Sequence, residues 1–355
     1  MIITSVIIIS ILYSYGLILL YVTFLTRKNG DKGAFINNAA NCIVFILAIT
    51  INLILINIIN PSSAQFVAFP FDFLIVGFVI LFIPLFYILM IKEKRNINKG
   101  KSSVEEFSKK PKKIPLKYDI YRKLTHLFVL GIIFFYFTLG FLIQNFFIYI
   151  LDFLPNFIIS MFDIGDDIMV FTQNLVVFLV GVSLIGLLTA DFTRILKPRY
   201  YPLKIINQIL KKKELHMRFG PHISMSIGCF SIILLYGLIQ PIGPIIICTS
   251  IAMAVFGDVS SNLIGRLIGK RKIRNTDKTY EGLIAGIIVA FIFGFIVLFL
   301  LQNYYLLENL GLFFIPLLGS IIIGLIDYLD LEIDDNLSYI FVLSTVLFFS
   351  AILLF

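Results

Sequence analysis

The sequence has no tryptophan and only three cysteines and three histidines among its 355 residues. Cys42, Cys229 and Cys248 all lie inside apolar runs and show no C-x-x-C spacing, which argues against a disulfide framework and against a structural zinc site. We interpret the cysteines as small apolar residues within helices. The histidines are scattered along the chain and give no metal-ligand spacing either.

Charge is also scarce, at 14% of the residues, whereas hydrophobic residues make up 59% and include 37 phenylalanines. A soluble domain carries roughly a quarter charged residues. This deficit and the many long apolar runs exclude an ordinary soluble protein and predict an integral membrane protein. The first run, residues 2–25, is long enough to span and lacks a basic leader, so we expect no cleavable signal peptide.

The basic residues that are present fall in four short windows. The net charge is +8, and all 29 Lys and Arg residues lie within 27–32, 92–123, 194–218 and 266–278. Under the positive-inside rule, these four windows are cytoplasmic. A basic face toward anionic lipid headgroups explains the charge without a nucleic-acid partner.

Hydropathy predicts an all-α, polytopic membrane protein with about ten transmembrane helices. Ten crossings place both termini on the non-cytoplasmic side and return every basic window to one face. The seventh span is short, unless its helix continues into the motif that follows. The predicted spans lie near residues 2–25, 36–59, 70–91, 124–143, 169–190, 222–240, 242–257, 282–301, 311–327 and 338–355.

The chain divides into three parts by composition. Residues 1–91 form an amino-terminal three-helix membrane unit, and residues 92–117 form a basic cytoplasmic linker that we expect to be mobile. Residues 118–355 form a seven-helix unit that contains most of the polar motifs.

The densest polar motif covers residues 257–270 and continues at 278–282. On a helix, Asp258, Asn262 and Arg266 share one face. Ser261, Gly265 and Gly269 form an adjacent small stripe, which lets another backbone or a phosphate approach closely. A site for a nucleoside triphosphate needs a carboxylate that binds a divalent cation, glycines, and several basic side chains.

Simpler interpretations of this motif stay open. Gly265-x-x-x-Gly269 is also a helix-packing pattern. It is not a P-loop, because it is one residue short and Arg271 follows the lysine. The basic residues also serve as topology signals. None of these interpretations explains why Asp258 lies at the end of a span. An acidic residue at such a position is a functional candidate by default.

Three further polar clusters lie at predicted cytoplasmic helix ends. Asp191 and Arg194 are spaced for a local ion pair, which is the structural alternative to a catalytic role. Arg122, Lys123 and His126 open the fourth span, and a lone interfacial histidine is often structural. Glu214, His216 and His222 lie in the connection that follows the fifth span.

An acidic cluster at 327–336 lies on the otherwise basic face. Acidic residues matter little for topology, so a solvated loop is one interpretation. Clustered carboxylates beside a triphosphate site also suit magnesium. The sequon at Asn336 is not expected to be glycosylated on the cytoplasmic side.

These clusters, in this order, resemble the family of CTP-dependent lipid-alcohol kinases. That family includes dolichol kinase, phytol and farnesol kinases and a fungal-type diacylglycerol kinase, and it is related to phosphatidate cytidylyltransferases. The resemblance covers roughly residues 118–355. The matching positions are Arg122-Lys-x-x-His126, Asp191-x-x-Arg194, Glu214, Gly257-Asp258, Gly265-Arg266, Gly269-Lys270, Lys278-Thr-x-Glu281-Gly282 and Asp334-Asp335-Asn336-Leu337.

The chain departs from the family pattern in two places. Asp327 stands where the family tends to carry Glu near the end of the penultimate span, and the usual proline after Asn336 is missing. The lysine-rich signature near the carboxyl end of the cytidylyltransferases is absent, which disfavours that branch.

The resemblance implies that CTP, with Mg²⁺, phosphorylates the terminal hydroxyl of a membrane lipid, with dolichol or another polyprenol preferred over phytol-type alcohols and diacylglycerol. The hypothesis places catalysis on Asp258, Asp191, Arg194 and Glu281, with Asp191 the first choice of base. The nucleotide would contact Gly257, Asn262, Gly265, Arg266, Gly269, Lys270, Lys278, Thr279 and Gly282. The substrate or its phosphate would contact Arg122, Lys123, His126 and Glu214. Magnesium would be held by Asp258, Asp334, Asp335 and Asn336.

Two other classes of function remain as alternatives. A transporter places unpaired charges at the bilayer midplane, but only Asp72 lies near a span without an obvious cause. A non-catalytic scaffold needs no repeated pattern of acids, bases and glycines. The sequence therefore predicts a multi-pass enzyme with its active site on the cytoplasmic face, of the cell membrane in a prokaryote or of the endoplasmic reticulum in a eukaryote.

Overall fold

The computed structural model describes residues 2–59, 65–99, 116–151, 153–155, 168–211, 214–274, 276, 278–304 and 309–354. Throughout these residues the regular structure is helical, apart from one isolated β-bridge between Lys272 and Thr279. The predicted all-α fold class is confirmed. Most of the predicted linker, residues 100–115, lies outside the described residues.

The helices follow the apolar runs of the sequence. The α-helices in the described part of the chain are α1 (Ile2–Lys28), α2 (Lys32–Ile59), α3 (Phe71–Asn98), α4 (Leu116–Leu127), α5 (Gly131–Phe137), α6 (Leu139–Leu151), α7 (Ile168–Leu196), α8 (Pro221–Tyr236), α9 (Ile242–Leu267), α10 (Tyr280–Leu301), α11 (Asn309–Leu329) and α12 (Asp335–Leu354). Short 3₁₀ turns lie at Phe128–Leu130, Pro198–Tyr200, Lys204–Ile209 and Gln302–Tyr304.

Within the described ranges, nine helical segments are long and apolar enough to cross a membrane. Two further apolar helices, α6 and α8, are shorter. The chain is therefore a multi-pass helical membrane protein. The number of ten crossings and the non-cytoplasmic placement of both termini stay predictions.

The predicted fourth span, 124–143, is interrupted. Its helix begins earlier, at Leu116, passes through a 3₁₀ turn and ends at Phe137, after which Thr138 leaves helical dihedral angles (φ −141°, ψ −75°). Gly140 follows the break, and a Cβ atom there would collide with the carbonyl oxygen of Phe135. The tight turn between α5 and α6 thus requires a glycine at this position.

The short seventh span is extended by the motif after it. Helix α9 runs without a break from Ile242 to Leu267, so the stretch from Asp258 to Leu267 is helical. It ends before Gly269 and Lys270, which lie in the connection to α10. The predicted shared helical face of Asp258, Asn262 and Arg266 is thereby confirmed, but it does not extend to Lys270.

The chain forms two compact units. Unit 1 contains residues 1–124, 155–163 and 177–230, and unit 2 contains residues 125–154, 164–176 and 231–355. The border falls inside α4, after Leu124. The predicted division at residues 92–117 was drawn from composition and motifs, and it stays a prediction.

In unit 1, α1 packs against α2 and α3 and contacts the second half of α7. Tyr15 and Thr189 share a hydroxyl hydrogen bond of 2.6 Å that joins α1 to α7. Asp72, which had no obvious role in the sequence, lies in the first turn of α3. Its carboxylate accepts hydrogen bonds from the Thr4 hydroxyl at 2.5 Å and from the Phe73 N–H at 2.7 Å. These bonds explain a buried acid there without a transport function.

In unit 2, α9 is the central helix, and most of its residues before Asp258 are buried. Helix α10 packs against it through a stripe of small residues at four-residue spacing: Gly282, Gly286, Ala290 and Gly294. A Cβ atom at Gly286 would lie 3.0 Å from the Cβ atom of Ser261. Small residues therefore let the two helix backbones approach closely, as in other membrane helix pairs.

Candidate active site

A histidine–aspartate pair joins α4 to α9 in unit 2. Nδ1 of His126 lies 3.3 Å from Oδ2 of Asp258. The His126 side chain is 2% exposed, and Nε2 finds no hydrogen-bond partner within the described residues. When Nδ1 carries the ring proton and donates it to the carboxylate, Nε2 is left as the proton acceptor. The pair has the arrangement of an oriented general base.

A lysine surrounded by carboxylates lies where α10 begins, α11 ends and α12 begins. Nζ of Lys278 is 2.9 Å from Oδ1 of Asp327, 3.1 Å from Oδ1 of Asp330 and 3.1 Å from Oδ2 of Asp335. Burial alone would lower the pKa of Lys278, but the carboxylates of Asp335 and Asp327 outweigh it and hold the pKa above its ordinary value. One ammonium facing three carboxylates leaves a formal excess of two negative charges.

Ser261 connects the lysine cluster to the helix that bears Asp258. Its hydroxyl donates a hydrogen bond of 2.7 Å to Oδ2 of Asp327, whose other oxygen faces Lys278. Ser261 follows Asp258 by three residues on α9, so the two side chains lie on neighbouring positions of one helix face. We call the set His126, Asp258, Ser261, Lys278, Asp327, Asp330 and Asp335 the polar network of unit 2.

The connection between α9 and α10 folds back as a short hairpin. The N–H of Ile273 donates to the carbonyl of Lys278, and the N–H of Tyr280 donates to the carbonyl of Arg271, both at 2.9 Å. The hairpin brings Lys278 back to the end of the helices. It leaves a set of cations exposed to solvent: Arg266, Lys270, Arg271, Lys272 and Arg274.

Thr279 and Glu281 have local structural partners at the start of α10. Thr279 is the N-cap residue, and its hydroxyl accepts the N–H of Gly282 at 3.2 Å. The Glu281 carboxylate accepts the N–H of Arg271 at 3.2 and 3.3 Å. Such contacts are typical of helix caps. They order the hairpin and do not require a nucleotide.

The glycines of the motif lie in packing contacts. A Cβ atom at Gly282 would lie 2.5 Å from the Ser261 carbonyl oxygen and 3.0 Å from Cα of Gly265. A Cβ atom at Gly269 would collide with Thr279 and with the carbonyl of Gly265. This geometry favours the helix-packing interpretation that the sequence left open, because protein atoms fill the space that the glycines provide.

The acidic segment before α12 contains a helix cap and one member of the polar network. Oδ1 of Asp334 accepts hydrogen bonds from the N–H of Asn336 at 3.0 Å and from its side-chain amide at 2.6 Å. Asp335 instead faces Lys278. Across the described residues, no group of three or more His, Cys, Asp or Glu side chains is arranged to hold a metal ion. The predicted magnesium set of Asp258, Asp334, Asp335 and Asn336 therefore does not form a single ligand cage.

In unit 1, Arg194 has a structural environment. Its guanidinium donates to both carboxylate oxygens of Asp191, at 2.6 and 3.1 Å. It also donates to three carbonyl oxygens, those of Glu214 at 2.7 Å, His216 at 3.3 Å and Arg218 at 2.8 Å. These five bonds use all five N–H donors of an arginine. The geometry favours the local ion pair over a phosphate-binding role for Arg194.

Both carboxylate oxygens of Asp191 accept hydrogen bonds in the same cluster. Besides Arg194, its Oδ2 atom accepts the N–H of Gly220 at 3.4 Å, and the side chain is 2% exposed. A carboxylate whose oxygens are both occupied is a poor candidate for accepting the proton of a lipid hydroxyl. The polar network of unit 2 offers a better base in His126.

Arg122 and Glu214, which sequence reasoning assigned to substrate binding, meet in unit 1. Nη1 of Arg122 lies 3.7 Å from Oε1 of Glu214, and Nη2 lies 3.0 Å from Oδ1 of Asp119. Oε2 of Glu214 accepts the N–H of Lys211 at 2.8 Å. Lys123 is also buried.

Several members of these clusters were not predicted as site residues. Asp119 precedes Arg122 by three residues, and this i, i+3 spacing would have identified it. Asp327 had been noted only as a departure from the family pattern, and Asp330 only as part of the acidic segment. Their common contact with Lys278 depends on three helix ends meeting, which no local pattern encodes.

Comparisons with protein-family models, with curated proteins and with solved structures find no match for this chain. The resemblance to lipid-alcohol kinases thus consists of short motifs. Support for a function comes from those motifs and from the contacts that their residues make.

Proposed function

We propose that this protein is a membrane kinase that transfers the γ-phosphoryl group of CTP to the hydroxyl group of a lipid alcohol. Dolichol or another polyprenol is the preferred acceptor, and phytol-type alcohols and diacylglycerol are the other members of that class. The observation that carries the proposal is the His126–Asp258 pair, a buried base held by a carboxylate at one end of a helical membrane unit.

The chemistry needs an acceptor for one proton. As the lipid oxygen forms its bond to the γ-phosphorus, the hydroxyl proton passes to Nε2 of His126. The bond between the γ-phosphorus and the β,γ-bridging oxygen breaks, and CDP leaves with that oxygen. Asp258 stabilises the imidazolium that results, which is the ordinary task of a carboxylate on a catalytic histidine. General-base catalysis of this kind is worth about 10²–10⁴-fold in rate.

Phosphoryl transfer also requires positioning and charge neutralisation of the nucleotide. The exposed cations are Arg266, at the end of α9, and Lys270, Arg271 and Lys272, in the hairpin, and they are accessible to a triphosphate. They replace the glycines as the main nucleotide contacts in this proposal, because the glycines lie in helix packing.

Magnesium enters this proposal as part of the Mg–CTP substrate. Mg²⁺ keeps several waters and is bound through one or two carboxylates together with substrate phosphates, so a protein cage of three or more ligands is not needed. The excess of two negative charges around Lys278 favours a divalent cation. Asp335 and Asp258 are the carboxylates that would contact it.

The lipid acceptor is supported by the position of His126 in the chain. It lies within the apolar segment Tyr118–Phe137, three residues after the basic pair Arg122 and Lys123. A hydroxyl at the head of a membrane lipid lies at the same interface, whereas a soluble alcohol would not need an apolar surrounding. Under the positive-inside rule, the four basic windows favour the cytoplasmic side for this end, and CTP is present there.

Asp191 and Arg194 are structural in this proposal. Their contacts fix the segment 214–220, and the base role that the sequence gave first to Asp191 passes to His126. Arg122 and Glu214 are likewise buried and paired within unit 1, and their role near the substrate phosphate stays a prediction from the sequence.

The proposal is tested with the purified full-length protein in detergent, supplied with Mg²⁺ and CTP labelled at the γ-phosphate, with ATP in parallel. The acceptors are a polyprenol, dolichol, phytol and diacylglycerol. We expect label in one lipid class, strongly reduced in Asp258→Asn and unchanged in the matched acidic control Glu332→Gln. Equal labelling by wild type and Asp258→Asn would remove the pair from the mechanism.

A further inference from the structure

The short helix α6 (Leu139–Leu151) belongs neither to the polar network of unit 2 nor to the proposed chemistry. It has 13 residues and carries no charge. At about 1.5 Å per residue it is roughly 20 Å long, whereas the hydrocarbon core of a bilayer is about 30 Å thick. An apolar helix of this length is buried in a protein core, re-entrant or interfacial. We infer that α6 is an interfacial helix, which lies along the membrane surface with one face against lipid.

The two faces of α6 differ in exposure. Gly140 and Gln144 are buried against the protein. The other face carries Leu142, Phe146 and Tyr149, which follow one another at intervals of four and three residues and are each more than half exposed. This exposure excludes a helix buried in a protein core.

Contacts with α7 show how α6 is oriented within unit 2. A Cβ atom at Gly140 would lie 2.6 Å from Cγ2 of Thr172, and the ring centres of Phe147 and Phe171 are 5.9 Å apart. Residues 140 and 147 are separated by about 10 Å along α6, yet they meet adjacent residues of α7. A helix that ran alongside α7 would meet residues about two turns apart. Helix α6 therefore crosses the start of α7, which excludes a re-entrant helix parallel to the spans.

Contacts with the end of α10 show where α6 lies in unit 2. The ring of Tyr304, just after α10, is 6.0 Å from the ring of Phe141 and 5.2 Å from that of Phe137. Helix α10 begins at Tyr280, beside Lys278, and ends at Leu301. Helix α6 thus lies at the end of unit 2 away from the polar network. The positive-inside rule favours the non-cytoplasmic surface for this end.

Lipid is the partner that fits the exposed face. The helix has no charge with which to bind a charged partner, and rings such as those of Phe146 and Tyr149 favour the boundary between headgroups and acyl chains. Phe299 and Leu300 are exposed near the same end of α10, which is long and apolar enough to span. The lipid that covers these side chains therefore also reaches α6.

An interfacial α6 has two consequences for the chain. Since α6 does not cross the membrane, α5 and α7 meet the same membrane surface. Its aromatic face also anchors unit 2 at that surface, on the side away from the candidate catalytic pair. Neither consequence depends on the proposed function.

The absence of tryptophan from the chain allows a direct test by fluorescence. The full-length variants Leu142→Trp, Tyr149→Trp and Ile292→Trp are reconstituted into phosphatidylcholine bilayers. Positions 142 and 149 share the exposed face of α6 and lie about 10 Å apart along it. Ile292 is exposed near the middle of α10 and serves as the control for the bilayer centre. Quenching is compared between lipids brominated near the headgroup and lipids brominated at the chain end.

Bromine near the headgroup should quench Leu142→Trp and Tyr149→Trp about twofold more than bromine at the chain end, because an interfacial helix lies only about 5–10 Å into the boundary. The order should be reversed in Ile292→Trp. Opposite orders in the two α6 variants would identify a re-entrant helix and overturn the inference.

Two further results would also overturn it. Quenching of the α6 variants by iodide in the buffer, without quenching by brominated lipid, would place this face in water. No quenching by either agent would show that protein, such as a second copy of the chain, covers the face. If Leu142→Trp does not fold, Tyr149→Trp exchanges one aromatic ring for another and still decides between the interface and the bilayer centre.

Discussion

Nδ1 of His126 lies 3.3 Å from Oδ2 of Asp258, although 132 residues separate them in the chain. The histidine comes from α4 and the aspartate from the carboxyl-terminal half of α9. Because the two residues lie on different helices, the pair forms only when α4 and α9 pack together. This relationship turns two separate sequence motifs into one candidate catalytic group.

Removal of the imidazole should lower phosphoryl transfer without disturbing insertion. We expect His126→Gln to reduce kcat about 10²–10⁴-fold, because glutamine cannot accept the hydroxyl proton. The exposed His216, replaced by Gln, is the control and should keep wild-type kcat. A His126→Gln protein with wild-type kcat would assign the histidine to structure.

Arg194→Lys should lower the thermal stability of the protein. A lysine ammonium has three donors and no planar fork, so it cannot replace the five bonds of this guanidinium. Each buried carbonyl oxygen that loses its donor costs about 1–3 kcal/mol, so thermal unfolding in detergent should occur at a clearly lower temperature. The exposed Arg199→Lys should unfold at the wild-type temperature. If Arg194→Lys unfolds like wild type but loses all transfer, Arg194 acts in catalysis instead.

The glycines of the motif should be intolerant of a methyl group for steric reasons. Gly282→Ala places a Cβ atom 2.5 Å from the Ser261 carbonyl oxygen, so α9 and α10 must separate. We expect a loss of about 1–3 kcal/mol of stability, typical of overpacking. Gly77→Ala, in open space on α3, should be neutral or stabilising by up to about 1 kcal/mol. Equal thermal midpoints for the two variants would contradict the packing interpretation.

The carboxylates around Lys278 determine how its contribution to protein stability depends on pH. Because the pKa of Lys278 is raised, its contribution to stability is fully present below the unfolded pKa of about 10.4 and is lost only as pH rises further, toward the folded pKa. Lys278 also stabilises the ionised form of Asp335, so the stability difference between wild type and Lys278→Met should grow as pH rises through the neutral range and shrink above about pH 10.5. The check is thermal unfolding of both proteins across this range. A difference that is already lost as pH rises to about 9 would show that the lysine is not held by its carboxylates.

Chelation of Mg²⁺ should abolish phosphoryl transfer without lowering the thermal stability of the protein. Because magnesium arrives with CTP in this account, EDTA should stop transfer and leave the thermal midpoint of the nucleotide-free protein unchanged. Added Mg²⁺ should restore transfer. A lower midpoint in EDTA would reveal a resident structural metal.

The sequence predicted the helical membrane fold because apolar runs and basic windows are local signals that reflect the bilayer. It also identified Asp258, His126, Arg194 and Glu214 as residues that need partners. It did not identify the partners. The Lys278 cluster depends on three helix ends meeting, and the hydrogen bond from the Phe219 N–H to the Asn38 side chain joins positions 181 residues apart.

The glycine motif shows a different limit of sequence reasoning. The spacing of Gly265 and Gly269 is the same for a phosphate loop and for a close helix contact. Only the position of Gly282 against Gly265 favours the second. Likewise, the spacing of Asp191 and Arg194 allows either an ion pair or a catalytic pair, and the three carbonyl groups bound by Arg194 distinguish them.

The most direct test of the central claim is to supply the wild-type protein with CTP labelled either at the γ-phosphate or at the α-phosphate, together with the lipid alcohols and phosphatidate. We expect γ-label in a lipid alcohol and α-label only in CDP. Label from the α-phosphate in lipid, with release of pyrophosphate, would contradict it and identify a cytidylyltransferase. No lipid labelling from either position would contradict a CTP-dependent enzyme altogether.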